Sequence, residues 1–141
     1  MAFLLDTNVV SELRRARTGK ADPNVVAWAG EQPSGALFLS AITVLELELG
    51  VRQAERRDPE QGRGLRAWLE EQVLPAFDGR VLSVDVSVAR RTATLHVPDP
   101  APERDALIAA TALVHSLTVA TRNTSDFDRS GVALVNPWLA E

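Results

Sequence analysis

Phe3-Leu4-Leu5-Asp6-Thr7-Asn8 is the stretch on which the reading of this chain turns. A continuous apolar run closed by polar residues reads as a strand buried on both faces, as in a parallel sheet. Val9, Val10 and Leu13 then recur at helical spacing, with Glu12, Arg14 and Arg15 on the other side. Asp6 is thus placed at the carboxyl end of the first strand, where a helix begins. In open α/β sheets that edge is where ligands bind. Two readings of Asp6 stay open. Backed by a hydroxyl and an amide, its carboxylate can hold a hard cation through oxygen. Equally, Asp6 or Asn8 can cap the helix, the commoner job for such residues.

The totals narrow the classes. A chain of 141 residues has the size of about one domain and can bury a proper core without staples. Zero cysteines remove disulfides, thiolate metal sites and thiol nucleophiles together. The two histidines, His96 and His115, lack the close spacing of a zinc pair. No apolar run approaches membrane length, and no basic segment leads into a long apolar one, so a cytoplasmic protein without membrane contact is expected. The formal charge of −4 by itself argues against a nucleic-acid partner. With four of the 19 acids committed to one metal site, however, fifteen of each sign would remain. All the cations but Lys20 are arginine, the side chain suited to bidentate phosphate contact. Their clusters, such as Arg52-Arg56-Arg57 and Arg90-Arg91, read first as solvated helix faces and are only permissive.

Further along, Asp22 caps a helix over about 23–30 that has Pro23 at its first position. Leu37-Phe38-Leu39 is a second buried strand, and Ser40 opens a helix whose apolar stripe reads as Ile42, Leu45 and Leu49. Glu46 lies at the edge of that stripe, four residues before Gly50 and on the same face. A glycine inside a helix costs up to about 1 kcal/mol against alanine, which suggests a neighbour that needs the space. Taken alone, Glu46 is a surface glutamate, and Glu48 an ordinary exposed acid. The helix ends at Asp58-Pro59. Leu65, Trp68, Leu69 and Val73 define its partner, giving a helical hairpin at about 41–75 that projects from the sheet.

Val81 to Val84 is a third strand, and Asp85 caps the helix after it, which ends at His96. The next helix begins near Pro102. In it Asp105, Ile108, Ala109, Ala112, Leu113 and Ser116 share one face, so Asp105 leads the side that packs on the sheet. An acid serving only the helix dipole would not need that side, and Glu103 fits that role better. Leu117 to Ala120 is a fourth strand, running into Thr121-Arg122-Asn123, and Thr124 to Asp128 is a short helical turn. Asn123 and Asp126 fit a capping pair, yet they too lie just past a strand's carboxyl end. Val132 to Val135 is a fifth strand, after which Trp138 and Leu139 pack the tail onto the body. Strands alternating with helices imply right-handed crossovers and helices on both faces. The expected fold is a three-layer α/β/α domain, residues 1–141, with a five-stranded, mainly parallel sheet.

In such a sheet Asp6 and Asp126 follow strands at one edge, and Glu46 and Asp105 descend on it from helices. Carboxylates brought together repel and raise their own pKa values unless a cation neutralises them. Mg²⁺ or Mn²⁺ would do so through oxygen while keeping waters for chemistry. Such an ion activates water and offsets charge on a phosphoryl group, and a pair about 4 Å apart also clamps the leaving oxygen.

Four segments now stand together: Leu5-Asp6-Thr7-Asn8, Ser40 to Gly50 with Glu46, Asp105-Ala106-Leu107-Ile108-Ala109-Ala110, and Thr121-Arg122-Asn123 with Asp126-Phe127. In order and over nearly the whole chain, they resemble the motifs of PIN-domain nucleases, and more narrowly the VapC toxins of bacterial toxin–antitoxin pairs. The resemblance implies a PIN-like fold and a metal-dependent endoribonuclease. It assigns Asp6, Glu46, Asp105 and Asp126 to the acidic Mg²⁺ or Mn²⁺ site, with Thr7 or Asn8, Thr121 and Asn123 as supporting polar residues. It further implies an RNA substrate, a homodimer and a cognate antitoxin that blocks the site. Two other readings compete. A haloacid-dehalogenase-type phosphatase also carries an aspartate after its first strand, but wants a second acid two residues on, where this chain has Asn8. A non-catalytic module would use the acids to hold a structural ion or a protein.

Overall fold

The computed structural model describes residues 1–139. Five short strands build the sheet: β1 (Phe3–Leu5), β2 (Leu37–Ser40), β3 (Val81–Leu82), β4 (Thr118–Ala120) and β5 (Leu134–Val135). Every pairing is parallel and the spatial order is β3-β2-β1-β4-β5. β1 is therefore central, with Phe3 aligned to Leu37 on one side and to Thr118 on the other. The expected strands over 81–84 and 132–135 are each shortened to two residues. An edge strand has one neighbour, and β3 runs out of partner at Ser40, where a helix begins.

Among the described residues seven helices cover the sheet: α1 (Thr7–Arg14), α2 (Pro23–Glu31), α3 (Ala41–Arg57), α4 (Pro59–Trp68), α5 (Leu74–Ala76), α6 (Val86–Leu95) and α7 (Glu103–His115). A π-helical turn, Leu69–Val73, joins α4 to α5. Asp22, Ser40, Asp58 and Asp85 each accept a hydrogen bond from a backbone N–H of the first turn they precede, satisfying a donor that the helix leaves free. The alternation of β1 divides the core in two. Phe3 and Leu5 pack with Val9, Val25, Leu47, Val51 and Leu69 on one face, while Leu4 packs with Ile108, Ala112, Val119 and Phe127 on the other. Ile42 belongs to the second cluster and Leu47 to the first, so the opening turns of α3 straddle the carboxyl edge of the sheet.

The phase of α3 differs from the expected stripe. Ile42 is buried as expected, but Leu45 and Leu49 are 47% and 37% exposed, and the inward face continues through Thr43, Leu47, Val51 and Ala54. Both sets obey helical spacing; contact with the sheet selects the second. Gly50 is not crowded, since a Cβ there would meet nothing within 4 Å. The close approach is at Gly62 of α4, where a Cβ would come within 2.4 Å of the Glu55 Cα. Glu48 is not a free surface acid either. Its carboxylate pairs with Arg66 at 2.8 Å and Arg52 at 2.9 Å, and Arg66 also reaches Glu55, which ties α3 to α4. Trp138 packs against the first core cluster as expected, but Leu139 is 70% exposed. Among the described residues no helix is long and apolar enough to cross a membrane.

Candidate active site

The strand order places β2 on one side of β1 and β4 on the other, so the carboxyl ends of β1 and β4 flank a topological switch point. Asp6 leaves the sheet on one side of this crevice and Thr121 on the other. The Asp6 N–H donates to the Ala120 carbonyl at 2.9 Å, continuing the ladder between the two strands. Asp6 is 8% exposed, and its two oxygens do different work. Oδ1 accepts from the Thr7 N–H at 2.8 Å, which caps α1. Oδ2 accepts from Thr121 Oγ1 at 2.8 Å and from Asn8 Nδ2 at 3.4 Å. Thr121 Oγ1 in turn accepts from Asn8 Nδ2 at 3.3 Å and from the Asn123 N–H at 3.0 Å. Three bonds on a carboxylate with about four acceptor positions leave room for one more partner.

Glu46 arrives from α3. Its Oε1 accepts from Thr7 Oγ1 at 2.8 Å, while Oε2 lies 3.6 Å from Arg104 Nη1. Thr43, fully buried one turn earlier, sits 3.4 Å from the same Thr7 hydroxyl and donates to the Leu5 carbonyl at 3.5 Å. Asp105 stands half-buried in the first turn of α7. Asp126 is exposed on the 3₁₀ turn Thr124–Ser130. The capping pair that Asn123 and Asp126 could have formed is not made: the Asn123 side chain caps nothing, and its N–H is spent on Thr121.

The electrostatics tie the four acids into one group. Burial pushes the Asp6 carboxyl above its ordinary value; the Thr121 and Thr7 hydrogen bonds pull it down, and the charges of Glu46 and Asp126 push it up again. Burial also raises Asp105, reinforced by Asp6, Asp126 and Glu46, with no hydrogen bond to counter it. Asp6 and Asp105 therefore stand where added positive charge is favoured. Among the described residues, no three acidic or histidine groups are drawn together at direct coordination distance. Like charges hold apart, and Mg²⁺ commonly takes only one or two carboxylates directly and reaches the rest through water. The donor set is all oxygen, as a hard cation requires. A shallow depression between α7 and the 3₁₀ turn is lined by Asp105, Ala109, Asp126 and Phe127. A larger hollow, lined by Phe3, Trp28, Leu134 and Pro137, takes in none of the four acids.

Hydrogen bonds join Asp6, Thr7, Asn8, Thr121 and Asn123, and Glu46 through Thr7, while Asp105 and Asp126 line the depression beside α7. Sequence reasoning missed Thr43 and Arg104. Thr43 lies four and eight residues before Leu47 and Val51, so the correct phase of α3 would have found it; Arg104 gives no signal beyond its place beside Asp105.

The PIN domain family profile matches residues 3–132. The chain is 42% identical to the VapC ribonuclease Y4jK of Sinorhizobium fredii, covering 96% of this chain and 97% of that protein. It is 44% identical to the toxin FitB of Neisseria gonorrhoeae, covering 96% and 98%. Among solved structures, FitAcB from Neisseria gonorrhoeae superposes with a TM-score of 0.86 at 41% identity, over 96% of this chain and 98% of that one. FitAB bound to an IR36 DNA fragment gives 0.88 at 39%, over 99% and 97%. With the family profile spanning nearly the whole length and relatives alike from end to end, the chain belongs to the PIN-domain family.

Proposed function

We propose that this protein is the toxin of a toxin–antitoxin pair, an endoribonuclease that hydrolyses RNA phosphodiester bonds at Asp6, Glu46, Asp105 and Asp126 with Mg²⁺ or Mn²⁺. The observation that carries the reading is the Thr121–Asp6 hydrogen bond across the switch point, with two further acids close enough to shift the Asp6 carboxyl. The names of the relatives support the activity and the pairing: a VapC ribonuclease, a FitB toxin and a FitAB complex on DNA. When bound, the cation supplies an activated water and charge for the phosphoryl oxygens. The chain's own part is placement. Thr7 orients Glu46; Thr121 and Asn8 orient Asp6; and Asn8 receives the Arg122 N–H at 3.4 Å, which ties α1 to the end of β4. Asn123 supports Thr121 in turn.

On this reading residues 1–141 act as a single nuclease domain in the cytoplasm, with the 41–75 hairpin as part of it. A second copy would dock on the exposed Leu45 and Leu49 of α3, and a cognate antitoxin would cover the acidic crevice. The decisive test is cleavage of single-stranded RNA by purified protein. Activity is expected with Mg²⁺ or Mn²⁺, lost in EDTA and lost in Asp6→Asn, which keeps the fold. Unchanged cleavage in that variant would assign the activity elsewhere, and binding without cleavage under every metal would favour a non-catalytic module.

A further inference from the structure

We propose that Arg104 is a substrate-positioning residue: its guanidinium balances Glu46 while no RNA is bound and transfers to the phosphodiester when RNA arrives. The inference rests on the ribonuclease reading. Arg104 stands directly before Asp105 in the first turn of α7, and its Nη1 lies 3.6 Å from Glu46 Oε2. Among the described residues it is the one cation paired with any of the four acids.

The pair is built to be exchanged. At 3.6 Å it is an ion pair without hydrogen-bond geometry, and the Arg104 side chain is 50% exposed. Ion pairs of that kind are weak, so trading one anion for another costs little. Glu46 keeps its place when the arginine leaves, because Thr7 Oγ1 still holds Oε1 at 2.8 Å. The planar guanidinium fork matches two oxygens of a phosphate, whereas Glu46 offers it one oxygen at long range. The neighbouring cations have other contacts to give up. The Arg122 guanidinium lies 5.4 Å from the centre of the Trp138 ring, and Arg129 Nη2 donates to the Asp99 carbonyl at 2.7 Å. Among the described residues Arg104 alone pairs with an acid that would hold a divalent ion, so an occupied site would free this side chain.

The test combines steady-state cleavage of a short single-stranded RNA across a salt series with calorimetric Mn²⁺ titration of the RNA-free protein. Arg104→Gln is expected to lower kcat/KM about tenfold, mainly through KM, as loss of one charge-assisted contact implies. It should also flatten the slope of log kcat/KM against log salt by about 0.7, the value for one phosphate contact on a single strand. Arg104→Lys should keep the slope while recovering only part of the rate. Mn²⁺ should bind Arg104→Gln at least as tightly as wild type, since Glu46 loses a competing cation. An unchanged salt slope in Arg104→Gln overturns the proposal. So does weaker Mn²⁺ binding, which would make the arginine a fixed support for Glu46. Wild-type protein inert toward RNA would instead bring down the ribonuclease reading, and this inference with it.

Discussion

Replacing Thr121 with valine tests whether the bond across the switch point holds the site together. The substitution keeps shape and removes Oγ1, a fully buried hydroxyl that donates to Asp6 Oδ2 at 2.8 Å. A hydrogen bond to a charged group is worth about 1.5–3 kcal/mol. The two donors that Oγ1 accepts are cheaper to strand: Asn8 Nδ2 still has Asp6 at 3.4 Å, and Asn123 is exposed to water. Against this, the added methyl recovers up to about 0.8 kcal/mol of apolar burial. The net loss comes to roughly 1–2 kcal/mol near neutral pH, a fall in Tm of about 4–6 °C for a domain of this size. Urea unfolding of the ion-free protein at pH 7.5 and near pH 4 measures it. The deficit should shrink at the lower pH, where Asp6 gains a proton and no longer draws on a charge-assisted bond. Thr121→Ser, which keeps the hydroxyl, should stay near wild type, and Thr121→Val should lose about tenfold in cleavage through a misoriented Asp6. A loss under about 0.5 kcal/mol, or one equal at both pH values, would refute the claim that this bond orients an ionised Asp6.

Three further outcomes are expected. Asp6 and Asp105 have native pKa values above their unfolded ones. The folded protein therefore takes up these protons first, and their contribution to stability is greatest below about pH 3.9 and is lost as pH rises through the native values. Asp6→Asn and Asp105→Asn should each raise the thermal stability of EDTA-treated protein at pH 7.5, with the gain fading toward pH 4; a pH-independent gain would contradict it. Glu48 and Glu55, lowered by the Arg66 hydrogen bond, work in the opposite sense, and their stabilisation disappears as pH falls through their native values. On the helical pair, Gly62→Ala should cost about 3 kcal/mol, because its Cβ would strike the Glu55 backbone at 2.4 Å. Gly50→Ala, with nothing within 4 Å, should add about 0.5–1 kcal/mol by removing a flexible residue from a helix. Denaturant midpoints of the two variants decide this, and equal shifts would show that the approach of α3 and α4 is not tight.

What could be read from the chain divides along the reach of the forces involved. The central strand and three helix starts were legible because their causes are local: burial on both faces makes Phe3-Leu4-Leu5 uniformly apolar, and Asp22, Ser40 and Asp85 satisfy donors two or three residues on. The phase of α3 was not. Leu45 and Leu49 satisfy helical spacing as well as Leu47 and Val51 do, and only the position of the sheet under the helix chooses between them. The same limit misassigned the glycines, since the penalty for glycine in a helix is local while the neighbour that requires it, Glu55 against Gly62, comes from another element. The meeting of Asp6 with Thr121 was legible because a parallel sheet sends every strand's carboxyl end to one edge. The second partners, Thr43 for Thr7 and Arg104 for Glu46, depend on how α3 and α7 lean over that edge.

The choice posed for Asp6, helix cap or ligand, was itself too narrow, and the reason is physical. A carboxylate has two oxygens. Capping uses Oδ1 and, together with the Ala120 ladder bond to the same residue, fixes the backbone and the rotamer. That constraint is what presents Oδ2 to Thr121 and Asn8 at the mouth of the crevice. Without the cap, an acid that is raised by burial and by its neighbours' charge would turn toward solvent to relieve both. The ordinary structural role therefore keeps the unfavourable carboxylate in place, and a residue that looks commonplace as a cap is, at this edge of this sheet, the best held of the four acids.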